Sequence, residues 1–331
     1  MPRIAAPTLD QLHEVLARFG VTDPKVHDIR TGRVNKHWRV EAEDRRYALR
    51  RYTHQRTPTA IDYEHDVLRH MERLGWPVAV PLSARDGAAT VIARGRTYAL
   101  FPYLAGRLAP RSASYGAKGA LLARLHADLA TYADAGPRDG IGRLTDLDAW
   151  VPATDGRDFD QVLADYAREQ PRLAAGIARW RETSVDELDR LGYHDLPDTL
   201  IHGDFHTNNI FFERRRLTGL LDFDFVRPDT RLADLALTIA LAPPASLSLD
   251  PMAVATLVGA YHAESPLSAT ELGLIVPMTR AYYIWLCWFS VLRWLDGQQE
   301  AASGPTRTID QRLPNLEARA SAIETALRSA T

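Results

Sequence analysis

The stretch Leu200-Ile-His-Gly-Asp-Phe-His-Thr-Asn-Asn-Ile-Phe-Phe212 determines how this chain is interpreted. A short apolar run ends at Ile201, and a set of polar residues follows it. A second apolar run leads to Leu220-Leu-Asp-Phe-Asp224. Short apolar runs next to turn-forming residues are typical of buried strands. We therefore expect both groups of polar residues to lie in loops that follow short strands.

The spacing of these polar residues predicts phosphoryl transfer from ATP. In that chemistry one carboxylate accepts the proton of the attacking hydroxyl, and an amide oxygen and a second carboxylate hold Mg²⁺ against the nucleotide phosphates. Asp204 is the candidate base, and Asn209 and Asp222 are the expected metal ligands. Asn209 keeps the Asp-x4-Asn gap of kinase catalytic loops, whereas its neighbour Asn208 is assigned to the loop alone.

The same motifs carry a family resemblance. His202-Gly-Asp-x4-Asn, followed by Asp222-Phe-Asp224 and Asp234-Leu-Ala, resembles the aminoglycoside phosphotransferase and choline kinase superfamily. That superfamily includes type II homoserine kinases and bacterial stress-response kinases, and the resemblance extends from about Gly32 to Trp294. It implies an α+β, bilobal protein-kinase-like fold, with an N-lobe antiparallel sheet containing one helix and a mostly helical C-lobe. The expected lobes are residues 1–104, which bind the nucleotide, and 105–331, which carry the catalytic loop, the metal site and the substrate-binding helices.

Other residues of the motifs receive secondary roles. His206 and Asp224 are candidates for contacts with the substrate or with the metal site, and a solvated carboxylate is an equal alternative for Asp224. His202 is expected to fix the loop through a backbone hydrogen bond. Asp234, at the start of a helix, is expected to cap that helix and to brace the catalytic loop.

The phosphate-binding cation departs from protein kinases, which carry a lysine on their third strand. Here the strand reads Tyr47-Ala-Leu-Arg-Arg-Tyr52, and its alternation places Arg50 in the lysine position and Arg51 on the opposite face. Arginine can hold phosphate through two parallel hydrogen bonds. Glu64 in the inserted helix is the expected partner of Arg50. Alternatives left open are that Arg50 is a surface arginine, that Lys36 supplies the cation, and that Asp62 or Glu72 is the partner.

Two further segments are assigned to the nucleotide. Gly32-Arg-Val-Asn35 looks like a shortened phosphate loop, although a single glycine also fits a hairpin turn. Phe101-Pro-Tyr-Leu104 lies where a hinge would hold adenine. Because Pro102 has no N–H, the amide of Tyr103 or of its neighbour is expected to donate to the base.

Composition excludes several classes of protein. The chain has 331 residues with a net charge of −2, which does not favour nucleic-acid binding. Its single cysteine, Cys287, suits a reducing cytoplasm. No leader segment is expected at the start of the chain, and Ala281–Leu292 is too short between its flanking arginines to cross a membrane. Composition therefore favours neither a nucleic acid nor a membrane as a partner.

The periodicity of the chain predicts its elements. Strands are expected over 34–40, 47–52, 80–83, 89–93 and 97–101, with a helix from Thr57 to Gly75. Further helices are expected over 112–134, 158–169, 171–193, 231–242, 251–264, 268–297 and 308–329, with an extended connection over 136–160.

Three functions are compatible with these motifs. The first is a kinase for a hydroxyl group of a small molecule, resembling those that act on homoserine, choline or aminoglycosides. The others are a Ser/Thr protein kinase of the stress-response type and a nucleotide-binding pseudokinase. Only residues 223–233 separate Asp222 from Asp234, too few for an activation loop, and His206 stands where protein kinases place a lysine. Since Asp204, Asn209 and Asp222 are all present, the small-molecule kinase is favoured.

Overall fold

The computed structural model describes residues 6–29, 34–108, 115–152, 155–213, 216–241 and 249–331. It divides into two compact units. The N-terminal unit contains the described residues up to Arg107 together with Ile210–Leu221, and the C-terminal unit contains Leu108–Asn209 and Asp222–Thr331. The predicted boundary at Leu104 is therefore wrong for the segment 210–221. That hairpin joins the N-terminal unit partly because the Leu220 N–H donates to the Pro77 carbonyl at 2.9 Å.

The elements follow one another along the chain. Up to the division they are α1 Leu9–Arg18, β1 Lys25–Ile29, β2 Lys36–Ala42, β3 Arg45–Arg51, α2 Pro58–Arg73, β4 Val91–Ala93, β5 Arg96–Pro102 and β6 Arg107–Leu108. Beyond it they are α3 Tyr115–Leu129, α4 Phe159–Ala167, α5 Pro171–Arg190, β7 Thr199–Ile201, β8 Ile210–Glu213, β9 Arg216–Leu220, β10 Arg227–Asp229, α6 Arg231–Leu241, α7 Pro251–Glu264, α8 Ala269–Gly273, α9 Ile275–Leu295 and α10 Leu313–Ala330.

The N-terminal unit is built on a five-stranded antiparallel sheet with the order β1-β2-β3-β5-β4. Alternation along β3 sends Leu49 to one face, where it is fully buried with Trp38 and Leu100 in a core that α1 covers. Arg50 points to the other face, where it meets α2. The α+β class, with an antiparallel sheet in the N-terminal part and helices in the C-terminal part, is confirmed.

Helix α1 was not predicted, although its sequence contains a start signal. Thr8 accepts a hydrogen bond from the Gln11 amide, and the Gln11 side chain accepts one from the Thr8 amide. This reciprocal pair is a capping box, which a Thr-x-x-Gln sequence can form. Leu12, Val15 and Leu16 then bury one face of the helix against the sheet.

Proline explains most of the elements that differ from prediction. The predicted strand at 80–83 is absent, because Pro81 has no N–H to contribute to a ladder. The predicted helix over 268–297 is interrupted at Leu274, since Pro277 fits the first turn of α9 but would clash inside a continuous helix. The predicted helix over 308–329 begins with a π-helical turn, and α10 starts just before Pro314. The helices that became α4, α5, α6 and α7 are confirmed.

Helix α9 forms the centre of the C-terminal unit. By length and composition it could cross a membrane, but 78% of its most apolar window is buried inside the protein. Trp288 and Val291 are fully buried, and Trp285 stacks on Phe289 with ring centroids 5.3 Å apart. The helix is thus a buried core helix, as its short uncharged stretch predicted.

Glycine permits the close packing of α3 against α7. A Cβ atom at Gly119 would lie 2.0 Å from the carbonyl oxygen of Leu257, which belongs to the backbone of α7 and cannot rotate away. Gly116, one turn earlier, has only the Thr256 and Ala260 methyl groups nearby, at 3.7 and 3.8 Å. The two positions therefore differ in clearance but not in secondary structure.

We predict that Gly119→Ala lowers the free energy of unfolding by about 1–3 kcal/mol, because the new methyl group overpacks the helix contact. Gly116→Ala is the matched control, and it should be neutral or stabilising by up to about 1 kcal/mol because alanine favours helix. Urea unfolding followed by circular dichroism measures both. Equal effects of the two substitutions would contradict the packing argument.

Candidate active site

The expected catalytic loop is the segment 202–209, which follows β7, and it brings Asp204 and Asn209 together. The Nδ2 atom of Asn209 donates to the Asp204 backbone carbonyl at 2.9 Å and to its carboxylate Oδ2 at 2.8 Å. These contacts orient the carboxylate, and they leave the Asn209 amide oxygen as an acceptor that a cation could use. Asn208 is exposed, in keeping with its assignment to the loop alone.

His206 lies beside the same carboxylate. Its Nε2 atom is 3.3 Å from the Asp204 Oδ1 atom and 3.3 Å from the Asn209 Nδ2 atom. Burial alone would lower the pKa of His206, but the hydrogen bond to Asp204 and the negative charges of Asp204 and Asp222 outweigh it, so the pKa is raised. The raised pKa of His206 thus reflects two nearby carboxylates, those of Asp204 and Asp222.

Asp234 holds the backbone of the loop in place. Its two carboxylate oxygens accept hydrogen bonds from the amides of His202 and Gly203, each at 2.8 Å. His126 in α3 contacts the same carboxylate at 3.0 Å, and its other ring nitrogen contacts the Tyr261 hydroxyl at 2.8 Å. Asp234 thus braces the loop as predicted, but it lies inside the first turn of α6, and its oxygens bind the loop and not the helix amides. The predicted capping role is therefore wrong.

Gly203 allows the catalytic loop to pass close to the segment that follows Asp222. Its φ angle is +78°, and a Cβ atom there would lie 2.1 Å from the Phe225 carbonyl oxygen. His202 supports the turn, because its Nδ1 atom accepts a hydrogen bond from the Asp204 amide at 3.2 Å. The His202 ring also packs on the Phe223 ring, with the two ring centroids 4.4 Å apart. The two loops are in contact and cannot shift independently.

The backbone after Asp222 is held by an arginine that sequence reasoning missed. Asp222 has a left-handed φ of +65°. The buried Nη1 atom of Arg138 donates to the carbonyls of Phe223, Asp224 and Val226 at 3.3, 3.0 and 2.9 Å. Arg138 lies in the irregular connection after α3, where no periodic pattern points to a contact. Asp224 itself is only 1% exposed.

In the N-terminal unit the structure brings Arg50 and Glu64 together. The Arg50 Nη1 atom is 2.6 Å from the Glu64 Oε1 atom, and both side chains are largely buried. The guanidinium also lies 5.0 Å from the Phe101 ring centroid and donates from Nε to His37. Arg51 points to the opposite face, 5.9 Å from the Trp38 ring, while Lys36 is exposed.

The other residues assigned to the nucleotide have different surroundings. Gly32 lies outside the described residues. Asn35 is buried, and its side-chain oxygen accepts a hydrogen bond from the Thr53 amide at 3.0 Å. Phe101 pairs with Ala48 in the sheet. The Tyr103 amide donates to the Arg46 carbonyl at 3.1 Å, so it is already engaged in the backbone of β3 and is not the donor expected for adenine.

These features define a class of protein. One unit has an antiparallel sheet whose third strand carries Arg50, paired with Glu64 of helix α2, and the other is a helical unit with an ordered Asp204 loop. This is the architecture of protein-kinase-like phosphotransferases.

Comparisons with known proteins agree with this class. The profile of the Phosphotransferase enzyme family matches residues 25–272. A homoserine kinase of Phenylobacterium zucineum is 30% identical over 270 residues, which cover 80% of this chain and 79% of that protein. A homoserine kinase of Methylocella silvestris is 25% identical over 287 residues, covering 85% and 84% of the two chains.

Solved structures share the fold. An amicoumacin kinase, solved in complex with AMP-PNP, Ca²⁺ and Ami, has a TM-score of 0.67 at 15% identity, and the match covers 92% of this chain and 94% of that chain. A microcompartment-associated aminopropanol kinase has a TM-score of 0.67 at 17% identity, with coverage of 96% and 99%. The chain belongs to the Phosphotransferase enzyme family. It is an ATP-dependent phosphotransferase that acts on a hydroxyl group of a small molecule.

We predict that Asp234→Asn weakens the fold in a pH-dependent way. Burial alone would raise the pKa of Asp234, but the hydrogen bond and the charge of His126 outweigh it and the pKa is lowered. A lowered pKa means that the ionised carboxylate stabilises the protein fully above about pH 4, and that this stability is lost as the pH falls through the folded-state value. Leaving a buried amide unpaired costs about 1–3 kcal/mol.

The wild type should therefore exceed Asp234→Asn by a constant margin between about pH 5 and 7, and the margin should shrink below about pH 4. Urea midpoints at several pH values measure this difference. Asp44→Asn, at an exposed turn, is the control and should follow the wild type. A margin that persists at low pH would show that ionisation of Asp234 is not its source.

Proposed function

We propose that this protein phosphorylates the side-chain hydroxyl of homoserine. The reaction breaks the bond between the β- and γ-phosphates of ATP, forms an oxygen–phosphorus bond on the acceptor and releases ADP. Homoserine kinases among the relatives support the choice of acceptor, since two of them match at least 79% of their own length. The small-molecule class of the acceptor follows from the family itself.

The observation that carries the proposal is the contact between Asn209 and Asp204. Because the Asn209 amide donates to Oδ2 of Asp204, that carboxylate has a fixed orientation with one oxygen directed toward His206. A fixed carboxylate can accept the proton of the acceptor hydroxyl as the new bond forms, or orient that hydroxyl for attack. Asp204 is the proposed catalytic residue.

Asn209 and Asp222 are the proposed ligands of Mg²⁺. An amide oxygen and a carboxylate are the hard oxygen donors that Mg²⁺ prefers, and the Asn209 side chain turns its nitrogen toward Asp204. When bound, Mg²⁺ neutralises the charge that develops on the nucleotide phosphates. Arg138 keeps the backbone that follows Asp222 in place, so that the carboxylate remains positioned for the ion.

Arg50 is the proposed cation for the nucleotide phosphates, and Glu64 fixes its position. Two hydrogen bonds from a planar guanidinium can replace the point charge of a lysine. The Leu104 amide is the proposed donor to adenine, because the Tyr103 amide is engaged and the Leu104 amide bonds to none of the residues that the structure describes. Gly32, Asn35 and Phe101 complete the proposed nucleotide-binding set.

A protein-kinase function is not favoured. Residues 223–233 form a short turn, strand β10 and the start of α6, which leaves no segment that could act as an activation loop. A pseudokinase is not favoured either, since Asp204, Asn209 and Asp222 are all present. A cytoplasmic location belongs to the same proposal, because the single cysteine, Cys287, is buried and unpaired.

The first test is turnover. Purified protein with ATP and Mg²⁺ should release ADP when homoserine is added, ahead of choline and aminoglycosides in the same assay. Asp204→Asn should still bind nucleotide but lose turnover, because only the proton acceptor is removed. Asp222→Asn should lose Mg²⁺-dependent nucleotide binding, because a metal ligand is removed. Calorimetry with a non-hydrolysable ATP analogue separates the two variants.

The results that would contradict these roles are specific. If the protein phosphorylates choline or an aminoglycoside but not homoserine, the proposed acceptor is wrong and the assignment as a small-molecule kinase stands. Near-wild-type turnover of Asp204→Asn would remove it as the proton acceptor.

The second test concerns Arg50. Arg50→Ala should reduce kcat/KM for ATP by roughly ten- to a hundred-fold, because a charge-assisted contact to phosphate contributes about 1.5–3 kcal/mol. Arg50→Lys should recover part of this loss, since the charge remains and the two-point geometry does not. Steady-state kinetics at saturating acceptor provide the measurement.

Arg51→Ala is the control, because its side chain lies on the opposite face of the same strand. It should leave kcat/KM for ATP nearly unchanged. A silent Arg50→Ala together with a damaging Lys36→Ala would transfer the phosphate contact to β2.

A further inference from the structure

Lys118 in α3 is a buried lysine beside the catalytic loop. It is one of three lysines in the chain and is only 4% exposed. Its Nζ atom donates to the Thr207 hydroxyl at 2.8 Å and lies 5.8 Å from the Tyr115 ring centroid. Within the described part of the chain, no carboxylate oxygen lies within 4.0 Å of this ammonium. Thr207 is the residue between His206 and Asn208 in the loop.

A buried ammonium group without an acidic partner is costly to the fold. One neutral hydroxyl offsets only part of the hydration that the charge loses on burial. Burial accordingly lowers the pKa of Lys118. An apolar residue of the same length would fit the site at a lower cost. Groups that are buried at such a cost cluster at functional sites.

The surroundings of Lys118 indicate which ligand would supply the missing charge. Its hydrogen-bond partner Thr207 is the neighbour in sequence of His206, whose ring nitrogen lies 3.3 Å from the Asp204 carboxylate, so the ammonium lies beside the loop that carries Asp204. Two buried arginines of the same unit are already used, because Arg138 donates to three backbone carbonyls and Arg227 donates to Asp229 and to Phe225. Lys118 retains ammonium hydrogens that no acid of the described chain accepts.

The charge of the acceptor completes the argument. Asp204 and Asp222 make the loop region acidic, so an acceptor that carries its own carboxylate would be repelled unless a cation met that group. Mg²⁺ and Arg50 are assigned to the nucleotide phosphates. Of the described lysines and arginines that are buried in the C-terminal unit, Arg138, Arg227 and Arg280 are held by carbonyls or acids, and Lys118 remains for the acceptor.

We propose that Lys118 binds the carboxylate of the acceptor and thereby selects hydroxy amino acids over simple amino alcohols. This inference rests on the proposed homoserine kinase function. It assigns the recognition of the acid group to a side chain from α3, outside the catalytic motifs.

The experiment compares homoserine with 3-aminopropan-1-ol, which is the same molecule with hydrogen in place of the carboxylate. In Lys118→Met, kcat/KM for homoserine should fall roughly ten- to a hundred-fold, mainly through KM, because a charged hydrogen bond is lost. The value for 3-aminopropan-1-ol should change little, so the preference for homoserine should largely disappear. Lys118→Gln retains a polar end but no charge, and it should lose the same preference.

A control and a stability readout separate recognition from structure. Lys25→Met removes an exposed lysine of β1 and should leave both substrates unaffected. The Tm of Lys118→Met should equal or exceed that of the wild type, because an uncompensated buried charge has been removed. A large fall in Tm with an unchanged substrate preference would overturn the proposal in favour of a structural role.

Three other outcomes also overturn it. If Lys118→Met lowers kcat equally for both acceptors, Lys118 contacts the phosphate that is transferred and not the carboxylate of the acceptor. Wild-type turnover on homoserine with an unaffected Lys118→Met would refute this inference and leave the proposed function intact. If the wild type phosphorylates neither compound, the proposed function itself fails and the carboxylate assignment fails with it.

Discussion

The site depends on one buried carboxylate, that of Asp234. A fully buried acid must have its oxygens satisfied, and here they receive two consecutive backbone amides and an imidazole. The amides belong to the residues directly before Asp204, so the direction of the Asp204 side chain follows from how Asp234 is held. The imidazole of His126 is fixed in turn by the Tyr261 hydroxyl. Helices α3, α6 and α7 therefore converge on the loop through one charged group.

The second constraint is the contact between the catalytic loop and the segment after Asp222. Gly203 lies so close to the Phe225 carbonyl that no larger residue fits without moving backbone. One nitrogen of Arg138 donates hydrogen bonds to three carbonyls of that segment. Lys118 differs from this arginine, because its compact ammonium is buried with one hydroxyl and no acid among the described residues. A residue that lowers the stability of the fold in this way is typical of functional sites.

Local sequence signals predicted most of the regular elements. Leu121, Leu125 and Leu129 recur every four residues in α3, and α2 starts with Thr57 as its N-cap and Pro58 at its first position. Such signals act within one or two turns, so they can be read without knowing the fold. The differences also have local causes, since Pro81 and Pro277 interrupt elements that apolar periodicity alone would continue. The capping box of α1 was present in the sequence but overlooked. The sequence did not show that residues 210–221 belong to the N-terminal unit, because hydrogen bonds such as that from Leu220 to Pro77 join residues far apart in the chain.

The sequence by itself determined the fold class and the set of polar residues around Asp204, Asn209 and Asp222, because their spacing lies within single loops. The alternation of β3 likewise separated Arg50 from Arg51. Tertiary structure alone decided that Glu64, and not Asp62 or Glu72, meets Arg50, since all three lie on one helix and only its packing on the sheet selects among them. It also decided that Arg138 and Lys118 reach the loops around Asp222 and Asp204, and that His126 reaches Asp234, which braces the second of them. Such contacts join segments some 80 to 110 residues apart, and no local pattern specifies them.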